Sequence, residues 1–209
     1  MEAYLHLAMV TFATLFPITN PLGNAAIFLS ITQGEDPTTR QKQALKGAIY
    51  MFFIVEGFFL GGSFIMQFFG LSLEGIRIAG GLVITKIGFN LLNPKQEHTH
   101  SAEENKEAKA KKDIAFSPLA MPLLAGPGAI ASIMGMTALL PSHHFLSYLS
   151  VSLGILFTCA TCWIILRESE WLTKLLGING ANALTKIMGF ILLCIGVQLI
   201  INGYLGITT

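Results

Sequence analysis

Charge is what this sequence has least of. Asp, Glu, Lys and Arg supply 12% of the residues, where an ordinary soluble domain carries about one-quarter. A chain so poor in charge cannot cover itself with a hydrated surface, which excludes a soluble globular protein and makes a lipid bilayer its natural solvent. The two signs nearly cancel, leaving a net +1, so nothing implies a polyanionic partner, and nucleic acid is excluded. A signal peptide is also missing. Glu2 stands where a basic region would be, and the apolar run that follows meets Pro17 without a small-residue cleavage pattern; that run reads as part of the mature protein. Cysteine is scarce. Cys159, Cys162 and Cys194 all lie inside apolar stretches, and Cys159-x-x-Cys162 has no further ligands around it, so these read as small buried residues, not a metal or redox centre. Neither a phosphate-binding glycine loop nor a cluster of His, Asp and Glu occurs. No catalytic residue, metal or cofactor is therefore assigned, and the chain does not read as an enzyme.

What is abundant is apolar. Hydrophobic residues make up 53% of the chain, the mean hydropathy is +0.63, and the 15 Phe and 21 Gly suit helices packed closely in lipid. A helix needs about 20 apolar residues to cross the hydrocarbon. Apolar stretches of that order occupy roughly 3–32, 45–69, 73–92, 114–140, 145–166 and 180–205. The fold expected is an all-α membrane protein of six transmembrane helices. Segment 93–113 reads as a charged linker, and 167–179 as a short amphipathic piece. His98 and His100 in the linker, His143-His144 in an outer turn and His6 near the outer end of span 1 read as solvated side chains, not ligands.

Loop charge orients the bundle. The connections after spans 1, 3 and 5 hold ten of the 13 Lys and Arg, among them Arg40, Lys46, Lys106, Arg167 and Lys174. Positive charge stays on the cytoplasmic side, so those connections are expected there and both termini outside.

Spans 1 and 4 do not read as continuous helices. Span 1 contains Phe16-Pro17-Ile18-Thr19-Asn20-Pro21-Leu22-Gly23-Asn24, and span 4 contains Ser117-Pro118-Leu119-Ala120-Met121-Pro122-Leu123-Leu124-Ala125-Gly126-Pro127-Gly128. Each has two prolines four residues apart, Pro17 and Pro21 or Pro118 and Pro122, then reaches glycine and resumes as a helix of small residues. Proline removes a donor and clashes with the preceding turn, while glycine permits any bend. A further echo links spans 3 and 6: Arg77-Ile-Ala-Gly80 and Lys186-Ile-Met-Gly189. Residues 1–92 and 114–209 thus read as two three-span repeats. The odd number of spans inverts the second relative to the first. Kinks that merely help helices pack explain one such interruption well, and two in corresponding places less well. Half-helices 24–32 and 129–140 are expected to present free N–H groups, and the segments before them free carbonyls. Thr19, Asn20, Pro21, Gly23 and Asn24, with Ser117, Gly126, Pro127 and Gly128, are the candidate substrate-binding residues.

Two charges fall inside spans. Glu56 lies in Phe-Phe-Ile-Val-Glu-Gly-Phe-Phe, and Lys86 in Val-Ile-Thr-Lys-Ile-Gly. Both are expected in the inner half of the membrane and are read as a pair, since an unpaired intramembrane charge costs about 2.5–3.5 kcal/mol on insertion scales. The alternative is a Lys86 that snorkels to the cytoplasm beside a protonated or hydrated Glu56. Glu56 is also the acidic candidate for proton coupling, and the repeat sets Leu153 opposite it. Arg77 and Lys186 read as interfacial anchors.

At Asn20-Pro21-Leu22-Gly23, at Gly126-Pro127-Gly128 and at Arg77-Ile-Ala-Gly80, the sequence resembles the MarC family. This is a group of six-helix bacterial and archaeal inner-membrane proteins also called the SnatA-type neutral amino acid transporter family. The resemblance covers essentially the whole chain, and only the two break motifs carry over as residues: Asn20, Pro21 and Gly23, with Gly126, Pro127 and Gly128. It implies a multi-pass protein of the cell inner membrane whose partners are lipid, a small neutral amino acid such as glycine, alanine or serine, and protons. Export of another small metabolite and a non-transport membrane scaffold stand as alternatives; a scaffold needs no broken helices. A reporter fused to the N-terminus is expected to be active only outside the cytoplasm. A cytoplasmic signal would overturn the orientation.

Overall fold

The computed structural model describes residues 2–93, 113–137, 140 and 145–208. The linker residues 94–112, with His98 and His100, and His143-His144 lie outside the described residues. Every regular element is helical. α1 (Glu2–Thr19) and α2 (Pro21–Ile31) meet at a 42° bend. α3 (Pro37–Phe69) starts on Asp36, whose carboxylate accepts from the Thr39 amide at 3.0 Å, with Pro37 supplying a first residue that needs no donor. Hydrogen bonds from the Thr38 hydroxyl and from Thr39 hold the Asp36 carboxyl well below the usual carboxylate range. α3 stops at Gly70, which takes a left-handed conformation (φ 64°) while the Leu71 amide reaches back to Met66 O at 2.8 Å. Ser72 caps α4 (Leu73–Leu92) through the Gly75 amide.

α5 (Ala115–Leu124) is a helical segment in outline only. Ser117 and Met121, each preceding a proline, are extended (φ −132° and −128°), as proline forces on its predecessor. The chain recovers through wide turns, Leu119 N–H to Ile114 O at 3.1 Å and Ala125 N–H to Ala120 O at 2.8 Å. After a 62° bend, α6 (Pro127–Thr137) follows. α7 (Phe145–Arg167) comes next, then α8 (Ser169–Thr208), which breaks at Gly177 (φ 61°) between a short first piece and the apolar run Asn179–Thr208.

α3, α4, α7 and the long part of α8 are each long and apolar enough to cross a membrane, and the number reaches six when each bent pair is counted as one span. α3 has 33 residues, about 50 Å at 1.5 Å per residue. Its first turns therefore project beyond a hydrocarbon layer of about 30 Å, which is why it begins eight residues before the apolar stretch that starts at position 45. Burial is that of a protein in lipid. Leu15, Phe28, Phe59, Ile84, Ile133 and Ile155 are fully enclosed, while Phe53, Phe64, Phe68 and Phe190 point outward, each well over half exposed.

The packing comes in matched sets. α1 lies on α7 and α5 on α3; α2 lies on α8 and α6 on α4; α2 touches α7 and α6 touches α3. α3 and α7 run antiparallel, as Glu56 meets Ser152 and Phe59 meets Tyr148. α4 and α8 are antiparallel too, and their backbones touch through glycines. A Cβ on Gly81 would sit 2.6 Å from Gly196 O and one on Gly88 2.7 Å from Gly189 O; the converse distances are 2.7 Å and 3.0 Å. Gly189 of the basic-Ile-x-Gly echo thus lies in this seam, while Gly80 packs on Ala131 of α6. At one end of the bundle Arg40 pairs with Glu170, and Lys46 Nζ lies 3.0 Å from Asp113 Oδ2. The connections after spans 1, 3 and 5 therefore share that end.

Gly196→Leu is expected to wedge this seam apart and to destabilise the protein by at least about 2 kcal/mol, as overpacking does. Gly135→Ala, where an added Cβ meets nothing within 4 Å, is expected to be neutral or to stabilise by under about 1 kcal/mol. Melting in detergent micelles compares the two.

Candidate substrate site between two helix breaks

The first break is built on Asn20. Its left-handed backbone (φ 38°, ψ 56°) makes it the single non-glycine residue of positive φ among the described residues, a conformation asparagine tolerates better than most side chains. Pro21 opens α2 with no N–H to satisfy. The Asn20 carbonyl accepts from the Asn24 amide at 3.0 Å and its side-chain Oδ1 from the Gly23 amide at 3.3 Å. Gly23 is needed for this cap, since any Cβ there would strike the Asn20 amide group. The second break runs through Ala125 and Gly126, and the Gly126 carbonyl accepts from Ala129 and Ile130 at 3.0 and 3.2 Å. A Cβ on Gly126 would lie 2.6 Å from Pro122 O. Gly128 packs on Ile18, Ile84 and Ile87, joining the second break to the first and to α4.

Both half-helices after the breaks have 11 residues and both begin on proline, Pro21 and Pro127. Pro17 and Pro21 thus end one helix and open the next, whereas Pro118 and Pro122 both lie within α5 and Pro127 opens the helix after it. The helices also start three and two residues earlier than the expected 24–32 and 129–140, because proline at the first position needs no cap for its nitrogen. In each first turn the residue after the proline, Leu22 or Gly128, contributes an amide outside the capping bonds.

Asn24 joins the two breaks. Its Nδ2 donates to Thr19 O at 2.8 Å and to Leu123 O at 3.0 Å, satisfying a carbonyl at the end of each interrupted helix with one buried amide. Thr19 is fully buried, its hydroxyl bonded to Phe16 O at 3.1 Å and 3.6 Å from Cys162 Sγ. Thr19, Asn20, Pro21, Gly23 and Asn24 thus form one cluster that meets Leu123 and Gly128. Ser117, half-buried at the first bend of α5, takes no part in the bonds between the breaks. Beside the second break lies a cavity of about 700 Å³ with an apolar lining that includes Phe69, Ala79, Val83, Pro122, Pro127 and Ile130.

Glu56 and Lys86 are not a pair. Glu56 Oε1 accepts from the Ser152 hydroxyl at 2.6 Å, its Oε2 is enclosed without a partner, and Lys86 is exposed on α4. The reason is topological: α3 packs on α5, α6 and α7 and makes little contact with α4, although the two are consecutive. Sequence reasoning missed Leu123, whose role lies in a backbone carbonyl that no side-chain pattern marks. It also missed Ser152, one residue from the Leu153 that the repeat sets opposite Glu56.

Residues 5–208 match the sequence model of the family described as "MarC family integral membrane protein". The chain belongs to that family. It is 37% identical to "UPF0056 membrane protein YvbG" of Bacillus subtilis (strain 168), over 93% of this chain and 92% of that protein. It is 39% identical to "UPF0056 inner membrane protein MarC" of Escherichia coli (strain SMS-3-5 / SECEC), over 92% of this chain and 91% of that one. No solved structure matches it. Among the described residues no group of three or more His, Cys, Asp or Glu gathers as for a metal ion.

Asn24→Ala leaves two buried carbonyls without their donor and is expected to cost about 1–3 kcal/mol. Asn20→Gly, which keeps the left-handed conformation, should cost only a few tenths of a kcal/mol. Thermal unfolding of both variants in detergent separates them.

Proposed function

We propose that this MarC-family protein is a secondary transporter that moves small neutral amino acids, glycine, alanine and serine, across the inner membrane by alternating access about the two breaks. The observation that carries the reading is the Asn24 bridge. It brings the carbonyl ends of two interrupted helices to one buried polar point, in a bundle whose surface is otherwise apolar. Irregular backbone at membrane depth is tolerated where it is buried in protein or lines a cavity, and paired discontinuous helices are a common frame for a midplane substrate site. The ammonium of an amino acid is the natural competitor for Thr19 O and Leu123 O. The Leu22 and Gly128 amides, at the positive ends of α2 and α6, suit its carboxylate. The inverted-repeat organisation is supported by the matched packing sets and by the antiparallel α3–α7 and α4–α8 pairs. The name of the Escherichia coli relative supports the inner membrane as the location. Termini outside the cytoplasm agree with the loop charges, of which Arg40 and Lys46 pair with Glu170 and Asp113 at one end.

A second reading, export of a different small metabolite with a larger apolar part, draws on the cavity beside the second break. Counterflow of labelled glycine and alanine in liposomes containing the purified protein tests the first reading, and competition by leucine tests the second. Flux of labelled alanine is expected, and no flux of any small neutral amino acid would overturn the assignment. Gly23→Leu, which collides with the Asn20 cap, and Gly128→Leu, which separates the breaks, are each expected to lower flux at least tenfold while the protein still inserts in the membrane. Normal flux in both would remove the breaks from the site.

A further inference from the structure

Glu56 is the acidic residue among those described that stands away from the ends of a membrane-length helix. Its surroundings are spare. The Ser152 hydroxyl holds Oε1 at 2.6 Å, and Oε2 is enclosed with no hydrogen-bond partner. Of the elements packed on α3, α5 (Ala115–Leu124) and α6 (Pro127–Thr137) carry no titratable side chain. α7 offers Tyr148, whose ring meets Phe59 one turn from Glu56 with centroids 5.5 Å apart, and Cys159 within electrostatic reach. Its Cys162 lies against Thr19, and its Arg167 stands at the far end of the helix. Among the described residues no cation is bonded to the carboxyl, so no ion pair seen here accounts for it. A hard metal cation draws its ligands from several oxygens, and among the described residues Ser152 is the one hydroxyl bonded to the carboxyl. A proton needs a single atom, and the free Oε2 provides it.

α7 ties this carboxyl to the first break. Ser152, Cys159 and Cys162 share one helix face, and Cys162 Sγ is 3.6 Å from Thr19 Oγ1. One stiff helix therefore touches Glu56 at one point and the break about 15 Å further along. We propose that Glu56 binds and releases the proton that drives transport, that Ser152 is its positioning residue, and that α7 transmits the change to Thr19 and Asn24. The proposal rests on the transport reading, takes the proton that the resemblance implies, and adds its site and its route.

The test uses the full chain in liposomes with labelled alanine and an internal pH-sensitive dye. Protons are expected to move with alanine in the wild type, and a pH gradient to drive alanine accumulation. In Glu56→Gln the proton movement per alanine is expected to be lost, and in Ser152→Ala reduced. Wild-type net alanine flux without proton movement would overturn the proposal while leaving the transport reading intact. So would Glu56→Gln with an unchanged proton-to-alanine ratio, or accumulation driven by a sodium gradient alone. No alanine counterflow in the wild type would instead defeat the transport reading beneath it. If Glu56→Gln fails to assemble, the wild type still decides: a hydrophobic carbodiimide, which reacts with protonated carboxyls in lipid, is expected to modify Glu56 by mass spectrometry and to block flux. An unmodified Glu56 would overturn the proposal.

Discussion

A backbone amide or carbonyl inside a bilayer has no water to turn to, and this structure is organised around that constraint. Four of its spans meet it by being continuous helices. The other two do not, and each interruption exposes carbonyls at one end and amides at the other. The groups that answer them are few: the Asn20 carbonyl and side chain at α2, the Gly126 carbonyl at α6, and the Asn24 amide across both breaks. Two interruptions can coexist in one bundle because the first supplies, through Asn24, a donor to a carbonyl of the second.

Membrane residence, the all-helical fold and the presence of both breaks were legible in the sequence because they follow from composition and from proline and glycine, whose effects are local. The register of the second break was not. Pro118 and Pro122 imitate the spacing of Pro17 and Pro21, but the chain turns sharply only at Ala125–Gly126. The decisive feature is where a new helix can begin, and Pro127 fixes that. The Glu56–Lys86 pair failed for another reason. Depth along a helix can be counted from sequence, but which neighbours a helix meets cannot, and α3 turns Glu56 toward α7 while α4 packs against α8 and α6. The bridge from Asn24 to Leu123 was beyond reach in principle, since one of its partners is a backbone atom of an ordinary leucine.

The two halves are not equivalent where polarity is concerned. Asn20, Thr19 and Asn24 concentrate hydrogen-bonding side chains in the first break, whereas the second is built from Ala125, Gly126, Pro127 and Gly128 and borders an apolar cavity. Glu56 likewise has no acidic counterpart on α7. On the proposed reading, the first break is the polar, recognising side of the site and the second its apolar, shape-defining side. A small molecule with charged and apolar ends can be oriented by that difference.

The glycine seam between α4 and α8 has a mechanical meaning. With Gly81 on Gly196 and Gly88 on Gly189, the two helices meet backbone to backbone at these points, with little room there to take up slack. Such a contact behaves as an axle: it resists spreading and bending, and the one freedom it leaves is a small roll of one rod on the other. On the transport reading proposed above, displacement during a working cycle falls to the short half-helices α2 and α6, which ride on α8 and α4 respectively. Each of them is anchored to the axle at one side and hinged on its own proline at the other.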